Sequence, residues 1–325
     1  MVARARSGKI AVCGAGSVGS TVAYAALLRG LAAEIVLYDI ATGLVTAQAT
    51  DLNDGAAFAP PARIVGSDDP AACADADIVV MTAGARQEPG QTRLDLAGVN
   101  ADITRTVLRQ VRDVAPDALY LVVTNPCDVL TAVAIEALDL PPGRVFGSGT
   151  VLDTARLKYA LSQRLQVAPR SVHALVAGEH GDSEIVLWSV ANVGGVPLAS
   201  YAERGRSIAP GEYEEIRTAV AGTAYTVIEG KGATEYAIGL AVAEIMEAAL
   251  RDEHRFLPVS VPFTGQYGIS GVCLSAPCIV DRQGVHGPVE LPIDETDLAG
   301  LRASAATIRS QLDALGLPAL GLPAV

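Results

Sequence analysis

Short apolar runs alternate with longer amphipathic stretches along the first half of the chain. Lys9 to Cys13 (KIAVC) reads as a strand, and a helix of small residues follows from about Ser20 to Arg29. Glu34-Ile35-Val36-Leu37-Tyr38 is a second strand; a helix from about Leu44 to Phe58 and a strand near Arg63–Val65 come next. Asp77 to Thr82 is apolar without strict alternation, the pattern of a strand covered on both faces. A helix from about Leu96 to Val114, the strand Leu119–Val123, a helix from about Asp128 to Leu138 and the strand Arg144–Gly147 complete the series. Strands separated by helices in this way predict an α/β fold with a doubly wound parallel sheet. Ligands of such sheets sit at the carboxyl ends of the strands.

The pattern changes at Gly147-Ser148-Gly149-Thr150, so the chain divides into residues 1–147 and a second, α+β domain, 148–325. A helix spans Val151 to Leu165, and strands lie near Val172–Ala177 and Ile185–Trp188. Pro210 followed by Glu212, Glu214 and Glu215 opens a helix to about Glu229, with proline and acids where a helix start favours them. Another helix begins at Thr234 and puts Ile238, Ala241, Val242 and Ile245 on one face. A β-rich stretch runs from about Phe256 to Val280, and Leu298, Leu301, Ala305, Ile308, Leu312 and Leu315 form the core stripe of a last helix. The tail from Gly316 to Val325 is expected to be loosely held.

Composition narrows the function. With 325 residues, half of them hydrophobic, the chain can bury a sizeable core. A formal net charge of −12 argues against nucleic acid and anionic membrane as partners, and requires any anion site to be a local cluster of Arg or Lys. The five cysteines are odd in number with no CxxC pair, which fits free thiols in a reduced cytoplasm. Cys273 and Cys278 have no His or Cys nearby in sequence to complete a metal site, and no metal is expected. Ile10 to Leu28 carries no charge, but Gly14, Gly16, Ser17, Gly19 and Ser20 break it, so it reads as strand, turn and buried helix rather than a membrane span.

That break is Gly14-Ala15-Gly16-Ser17-Val18-Gly19, a GxGxxG loop between strand and helix. The first glycine makes the turn, the second admits a pyrophosphate to the backbone, and the third lets helix pack on strand. Asp39 ends the next strand twenty residues after Gly19. A carboxylate there accepts ribose hydroxyls of NAD and repels the extra phosphate of NADP. The loop from Gly84 to Arg93 is polar and follows a strand, which suits a lid over a site, or an ordinary surface loop. Asp153 and Arg156 lie three apart on one helix, as a site pair or as a common surface ion pair. His180, one of four histidines, sits in Gly178-Glu179-His180-Gly181-Asp182, where it is either an incidental loop residue or an acid/base.

The motifs GAGSVGS, LYD, TAGARQEPGQTRLDL, VTNPCD, GSGTVLDTAR, GEHGDSE and GATEYAIGLA, in this order from Lys9 to about Leu315, resemble the L-lactate/malate dehydrogenases, and most closely the bacterial L-lactate type. The resemblance implies a Rossmann-type NAD domain and hydride exchange between NADH and pyruvate, giving L-lactate. It implies that His180 is the acid/base, that Asp153 orients its ring, and that Arg93 arrives with the lid to polarise the carbonyl. It further implies that Arg156 grips the substrate carboxylate, with Gln87, Asn125 and Thr234 also at the substrate. Cofactor contacts are implied for Gly14, Gly16, Val18, Gly19, Asp39, Thr82, Gly84, Ala85, Val123, Asn125 and Ile238, and a cis bond for Asn125-Pro126. Similar malate enzymes carry Arg where this chain has Gln87; a neutral Gln leaves a second carboxylate unpaired, which disfavours oxaloacetate, whereas a loop shifted by one residue would present Arg86 instead. Members activated by fructose 1,6-bisphosphate carry Arg and His at the positions of Lys158 and His173; the Lys keeps the charge but not the fork, so this is either a weaker or different anion site at a subunit interface or a solvated helix lysine. A homotetramer is also implied. The rival readings are a malate dehydrogenase, a non-catalytic NAD-binding sensor and a metal-using NAD-dependent glycosidase.

Overall fold

The computed structural model describes residues 8–85, 93–203 and 205–320, excluding the side chains of residues 93 and 94. The first half is built as the apolar runs predict: β1 (Lys9–Cys13), α1 (Ser17–Arg29), β2 (Glu34–Tyr38), α2 (Thr42–Asp54), β3 (Arg63–Ser67), β4 (Ile78–Met81), α3 (Arg93–Arg112), β5 (Leu119–Val122), α4 (Cys127–Leu138) and β6 (Val145–Gly147). These six strands pair in parallel in the order β3-β2-β1-β4-β5-β6, which is the doubly wound arrangement. The central strands are buried on both faces, with Ile10, Val12, Ile35 and Leu37 packed to one side and Ala11, Val36, Val79 and Tyr120 to the other.

The second half continues with α5 (Val151–Leu165), the short strands β7 (Val172–His173), β8 (Val176–Ala177), β9 (Ile185–Val186), β10 (Asn192–Val193) and β11 (Val196–Pro197), then α6 (Glu212–Lys231) and α7 (Tyr236–Leu250). A long antiparallel hairpin, β12 (Arg255–Thr264) and β13 (Ser270–Asp281), is extended by β14 (Gly284–His286) and followed by α8 (Glu295–Ala314). The hairpin is not a separate sheet. β12 pairs with β6 through Ser260 and Gly147, so one nine-stranded sheet runs across the change in sequence pattern.

Several boundaries move. α1 starts at Ser17 rather than Ser20, because Gly16 already serves as its N-cap. The stretch expected as one helix to Phe58 divides at Gly55 into α2 and a single 3₁₀ turn. Val172 to Ala177 is interrupted, and β7 and β8 join different small sheets. Thr234 does not begin a helix but lies in the turn before α7, whose N-cap is Glu235. Of the tail, Leu317 and Leu320 pack against the core around α8, and Leu320 N–H donates to the Gly271 carbonyl at 3.2 Å.

The β6–β12 junction depends on a missing side chain. A Cβ on Gly147 would lie 2.4 Å from Thr131 Oγ1 and 2.9 Å from both Cys127 Sγ and Ser260 Cβ, all in the interior. Gly147→Ala is therefore expected to destabilise the protein by about 1–3 kcal/mol through overpacking, read as a lower urea midpoint with an unchanged m-value. A midpoint equal to that of the wild type would show that the junction is looser than this packing implies.

Candidate active site

The site is assembled at the carboxyl end of the parallel sheet. Thr150 precedes α5, and its Oγ1 donates to the Val176 carbonyl at 2.6 Å, tying the helix start to β8. Asp153 then falls in the first turn of α5, where the helix dipole favours a negative charge, and Arg156 stands one turn further along. Arg156 Nη1 donates to Asp153 Oδ1 at 2.7 Å. His180 Nδ1 donates to the other oxygen, Oδ2, at 2.6 Å. The Asp153 side chain is 2% exposed, against 12% for Arg156 and 21% for His180, so a buried carboxylate holds two cationic groups that both reach the surface.

The backbone around His180 is fixed from three directions. Gly178 adopts φ +87°, and it exchanges hydrogen bonds with Ser275 of β13 at 2.8 and 2.9 Å. A Cβ on Gly178 would come within 2.7 Å of Ser304 Oγ, so the loop lies directly on α8. Glu179 N–H donates to Ser304 Oγ at 2.7 Å. His180 N–H donates to Asp128 Oδ2 at 2.7 Å, and Ser260 Oγ donates to Asp128 Oδ1 at 2.6 Å. Asp128, near the start of α4, thereby links the imidazole's own backbone to the β6–β12 junction.

Electrostatics follow from this packing. Burial opposes the charged imidazolium, but the Asp153 carboxylate outweighs it and pushes the His180 pKa up to about 9. Burial would raise Asp153, yet His180 and Arg156 hold it below the usual carboxylate range. Burial lifts Asp128 to about 6, against the hydrogen bonds from Ser260 and His180. Glu184, also buried beside this group, is pushed up to about 8 by burial and by Asp153, and its Oε1 has no hydrogen-bond partner among the described residues. At neutral pH the cluster therefore carries protonated His180, Arg156, ionised Asp153, largely ionised Asp128 and neutral Glu184. Its two cations are matched by two carboxylates, and the neutral Glu184 adds no further negative charge beside them, in a protein whose net charge is −12.

The glycine loop fits a dinucleotide. A Cβ on Gly19 would be 1.8 Å from the Gly14 carbonyl oxygen, and one on Gly14, where φ is +108°, would be 2.6 Å from Ala83 N. At Gly16 a Cβ would meet nothing within 4 Å, so the loop is packed at two glycines and open at the third. No side chain caps α1, which leaves its first N–H groups available to a phosphate. Asp39 follows β2 directly at the rim of this loop, where its Oδ2 accepts from Ala15 N–H at 2.7 Å and its Oδ1 from Ala41 N–H at 2.9 Å. Thr82 Oγ1 donates to the Cys13 carbonyl at 3.0 Å. Val18 and Ile238, from α1 and α7, are half-buried on the same apolar core.

The remaining expected residues are distributed around the sheet end. Gly84 and Ala85 follow β4, Val123 and Asn125 follow β5, and the Asn125-Pro126 peptide is cis. Thr234 is half-buried between α6 and α7. Arg93 is the first residue of α3, but its side chain lies outside the described residues, as do Gln87 and the rest of the expected lid from 86 to 92. Lys158 on α5 and His173 on β7 occupy adjacent elements; partial burial lowers the Lys158 pKa, opposed by the charge of Glu244 on α7.

Four contributors were not expected from the sequence. Asp128 and Glu184 look like ordinary helix-start and loop acids, and Ser260 is one small residue in a β-rich run. Asn100 is buried on the apolar face of α3, where its Oδ1 accepts from Ala85 N–H at 2.8 Å and its Nδ2 donates to the Asn125 carbonyl at 2.9 Å. A lone amide among Ala97, Ala101 and Leu108 was the available signal.

Comparison with known proteins agrees with this architecture. The lactate/malate dehydrogenase NAD binding domain matches residues 8–147, and the lactate/malate dehydrogenase alpha/beta C-terminal domain matches residues 150–315. The chain is 48% identical over 303 residues to an L-lactate dehydrogenase of Bifidobacterium animalis subsp. lactis, covering 93% of this chain and 95% of that protein. It is 44% identical over 310 residues to one from a Thermoanaerobacter species, covering 95% and 99%. Among solved structures, a lactate dehydrogenase from a Medee basin deep-sea metagenome library superposes with a TM-score of 0.92 at 40% identity, over 96% of this chain and 99% of that one. The minor L-lactate dehydrogenase of Enterococcus mundtii gives 0.91 at 38% identity, over 94% and 98%. This chain belongs to the lactate/malate dehydrogenase family.

Proposed function

We propose that this protein is an NAD-dependent L-lactate dehydrogenase that interconverts pyruvate and L-lactate. The observation that carries the reading is the Asp153 carboxylate shared by His180 and Arg156, beside a dinucleotide loop. NAD, bound along that loop, supplies the hydride exchange. Arg156 has donors beyond the one given to Asp153, and its planar fork suits the substrate carboxylate. Asp153 holds Nδ1 of the imidazole, so Nε2 faces the substrate oxygen. In reduction, protonated His180 gives its Nε2 proton to the carbonyl oxygen as charge develops there; in oxidation, the neutral ring takes the hydroxyl proton. Arg93 polarises the carbonyl, while Asn125 and Thr234 line the substrate.

Pyruvate is favoured over oxaloacetate because Gln87 offers no charge to a second carboxylate, and because the relatives described above are named L-lactate dehydrogenases. The homotetramer follows from the family resemblance; exposed Tyr24, Leu28, Tyr236 and Leu240 on the packed helices α1 and α7 support an interface between copies there. The five buried free thiols are consistent with a cytoplasmic protein, and no helix among the described residues is long and apolar enough to cross a membrane. A sugar bisphosphate response through Lys158 and His173 at a subunit interface is expected to be weaker or different, because Lys158 keeps the charge of an arginine but not its fork.

Steady-state assays with both keto acids and both nicotinamide cofactors test the activity: pyruvate with NADH is expected to be turned over fastest. Faster oxaloacetate reduction would make the protein a malate dehydrogenase, and no turnover of either would favour an NAD-binding sensor. Gln87→Arg is expected to shift the ratio of kcat/KM values toward oxaloacetate by about tenfold or more; an unchanged ratio removes Gln87 from the substrate.

Because the His180 pKa is raised from 6.5 to about 9, pyruvate reduction is expected to hold through neutrality and fall as pH rises through about 9. Ionisation of Glu184 near pH 8 weakens pyruvate binding first. Lactate oxidation should rise over the same range. A reduction profile that falls near pH 6.5 would show that Asp153 does not support the imidazolium.

Fructose 1,6-bisphosphate is expected to lower the pyruvate concentration at half-saturation, with Lys158→Ala abolishing the effect. Superimposable saturation curves with and without the sugar bisphosphate would remove the effector site.

A further inference from the structure

Two of the four histidines lie far from the proposed active site and face one another across a single carboxylate. The turn after α7 carries Asp252 and His254, both in left-handed backbone conformations, at φ 58° and 51°. The β13–β14 hairpin carries Asp281 and His286. Asp281 Oδ2 is 2.5 Å from His286 Nε2 and 3.1 Å from His254 Nδ1. Asp252 Oδ1 is 4.0 Å from His254 Nε2. One ligand atom from each of Asp252, His254 and Asp281 can be chosen so that all lie within 4.8 Å of one another. These residues line a surface cavity of about 390 Å³ together with Ile279 and Gln283.

We propose that Asp252, His254, Asp281 and His286 bind a divalent cation of the zinc type. The donor set is mixed imidazole and carboxylate, which suits a borderline metal in tetrahedral geometry. Ligand atoms around such an ion are about 3.3–3.5 Å apart. The 3.1 Å between His254 Nδ1 and Asp281 Oδ2 is near that range, whereas the 2.5 Å contact of His286 with the same oxygen would have to open for an ion to enter; the two imidazoles are half or more exposed and free to rotate into place. Two carboxylates balance the charge of a dication. Asp281 is held by its other oxygen, which accepts from Gln283 N–H at 2.8 Å, and the Asp281 side chain is only 4% exposed. The guanidinium of neighbouring Arg282 donates to the Leu250 carbonyl at 2.9 Å, and its backbone N–H donates to Asp252 Oδ1 at 3.2 Å. The cation would tie the end of α7 to the hairpin tip.

The site is at the opposite end of β6 from the catalytic group. Val285 N–H donates to the Gly143 carbonyl at 2.9 Å, just before β6 begins, whereas Gly147 at the far end of β6 meets Ser260. Metal binding here is therefore expected to act on stability rather than on turnover.

The test is calorimetric titration of chelator-treated full-length protein with zinc chloride, with thermal unfolding followed in parallel. One equivalent per chain is expected to bind and to raise the unfolding midpoint by several degrees. His254→Ala/His286→Ala should weaken that binding by about tenfold or more and keep metal-free pyruvate reduction at the wild-type rate. No binding to the wild type, or equal binding to the double variant, overturns the proposal. Asp153, His180 and Glu184 also place three ligand atoms within 4.8 Å, so the site of binding must be read directly. Should the double variant fail to fold, cobalt(II) is added to the unaltered chain and its four histidine ring signals are followed by NMR. Selective broadening of His254 and His286 supports the site; broadening confined to His180, or none, overturns it.

Discussion

A buried carboxylate in contact with two cations is the constraint on which the site depends. Desolvating Asp153 is costly, and only the pairing with both His180 and Arg156 compensates it. Removing either partner would leave a buried charge incompletely paired. The same arrangement orients the imidazole, raises its proton affinity and sets the distance between the proton donor and the carboxylate-binding guanidinium. One side chain thus couples three properties that could otherwise vary independently.

The position of that carboxylate rests in turn on the sheet. Asp153 is placed by α5, which begins immediately after β6. His180 is placed by a loop that is pinned to Asp128, Ser275 and Ser304. Asp128 is also bonded to Ser260, whose strand reaches β6 only because residue 147 has no side chain. Small residues in the interior therefore have a positional role beyond filling space: they let two strands approach, and the approach aims the histidine.

The sequence made the parallel half legible because each strand is a continuous apolar run and each helix has its own period. The glycine loop and Asp39 were readable for the same reason, since their spacing is local. Asp153 and Arg156 were readable as neighbours on one helix, but their contact with His180 joins separate segments and was reached through family resemblance. Asp128, Ser260 and Asn100 were not legible. Their polarity is satisfied by partners 15 to 132 residues away in the chain, and no local pattern records such pairings. Likewise, the antiparallel hairpin was read as β-rich, while its joining to β6 rests on a single residue pair.

The unbroken nine-stranded sheet also limits how the molecule can move. Where two lobes are joined by a flexible strap, they can swing together around a ligand. Here both halves of the sequence contribute strands to one hydrogen-bonded surface, and bending between them would have to shear β6 from β12. Water must instead be excluded from the pocket by segments lying on the frame, while the frame itself stays rigid. By the same logic, severing the chain after Gly147 would not release two self-contained bodies: each fragment would be left with a raw strand edge that only the other fits.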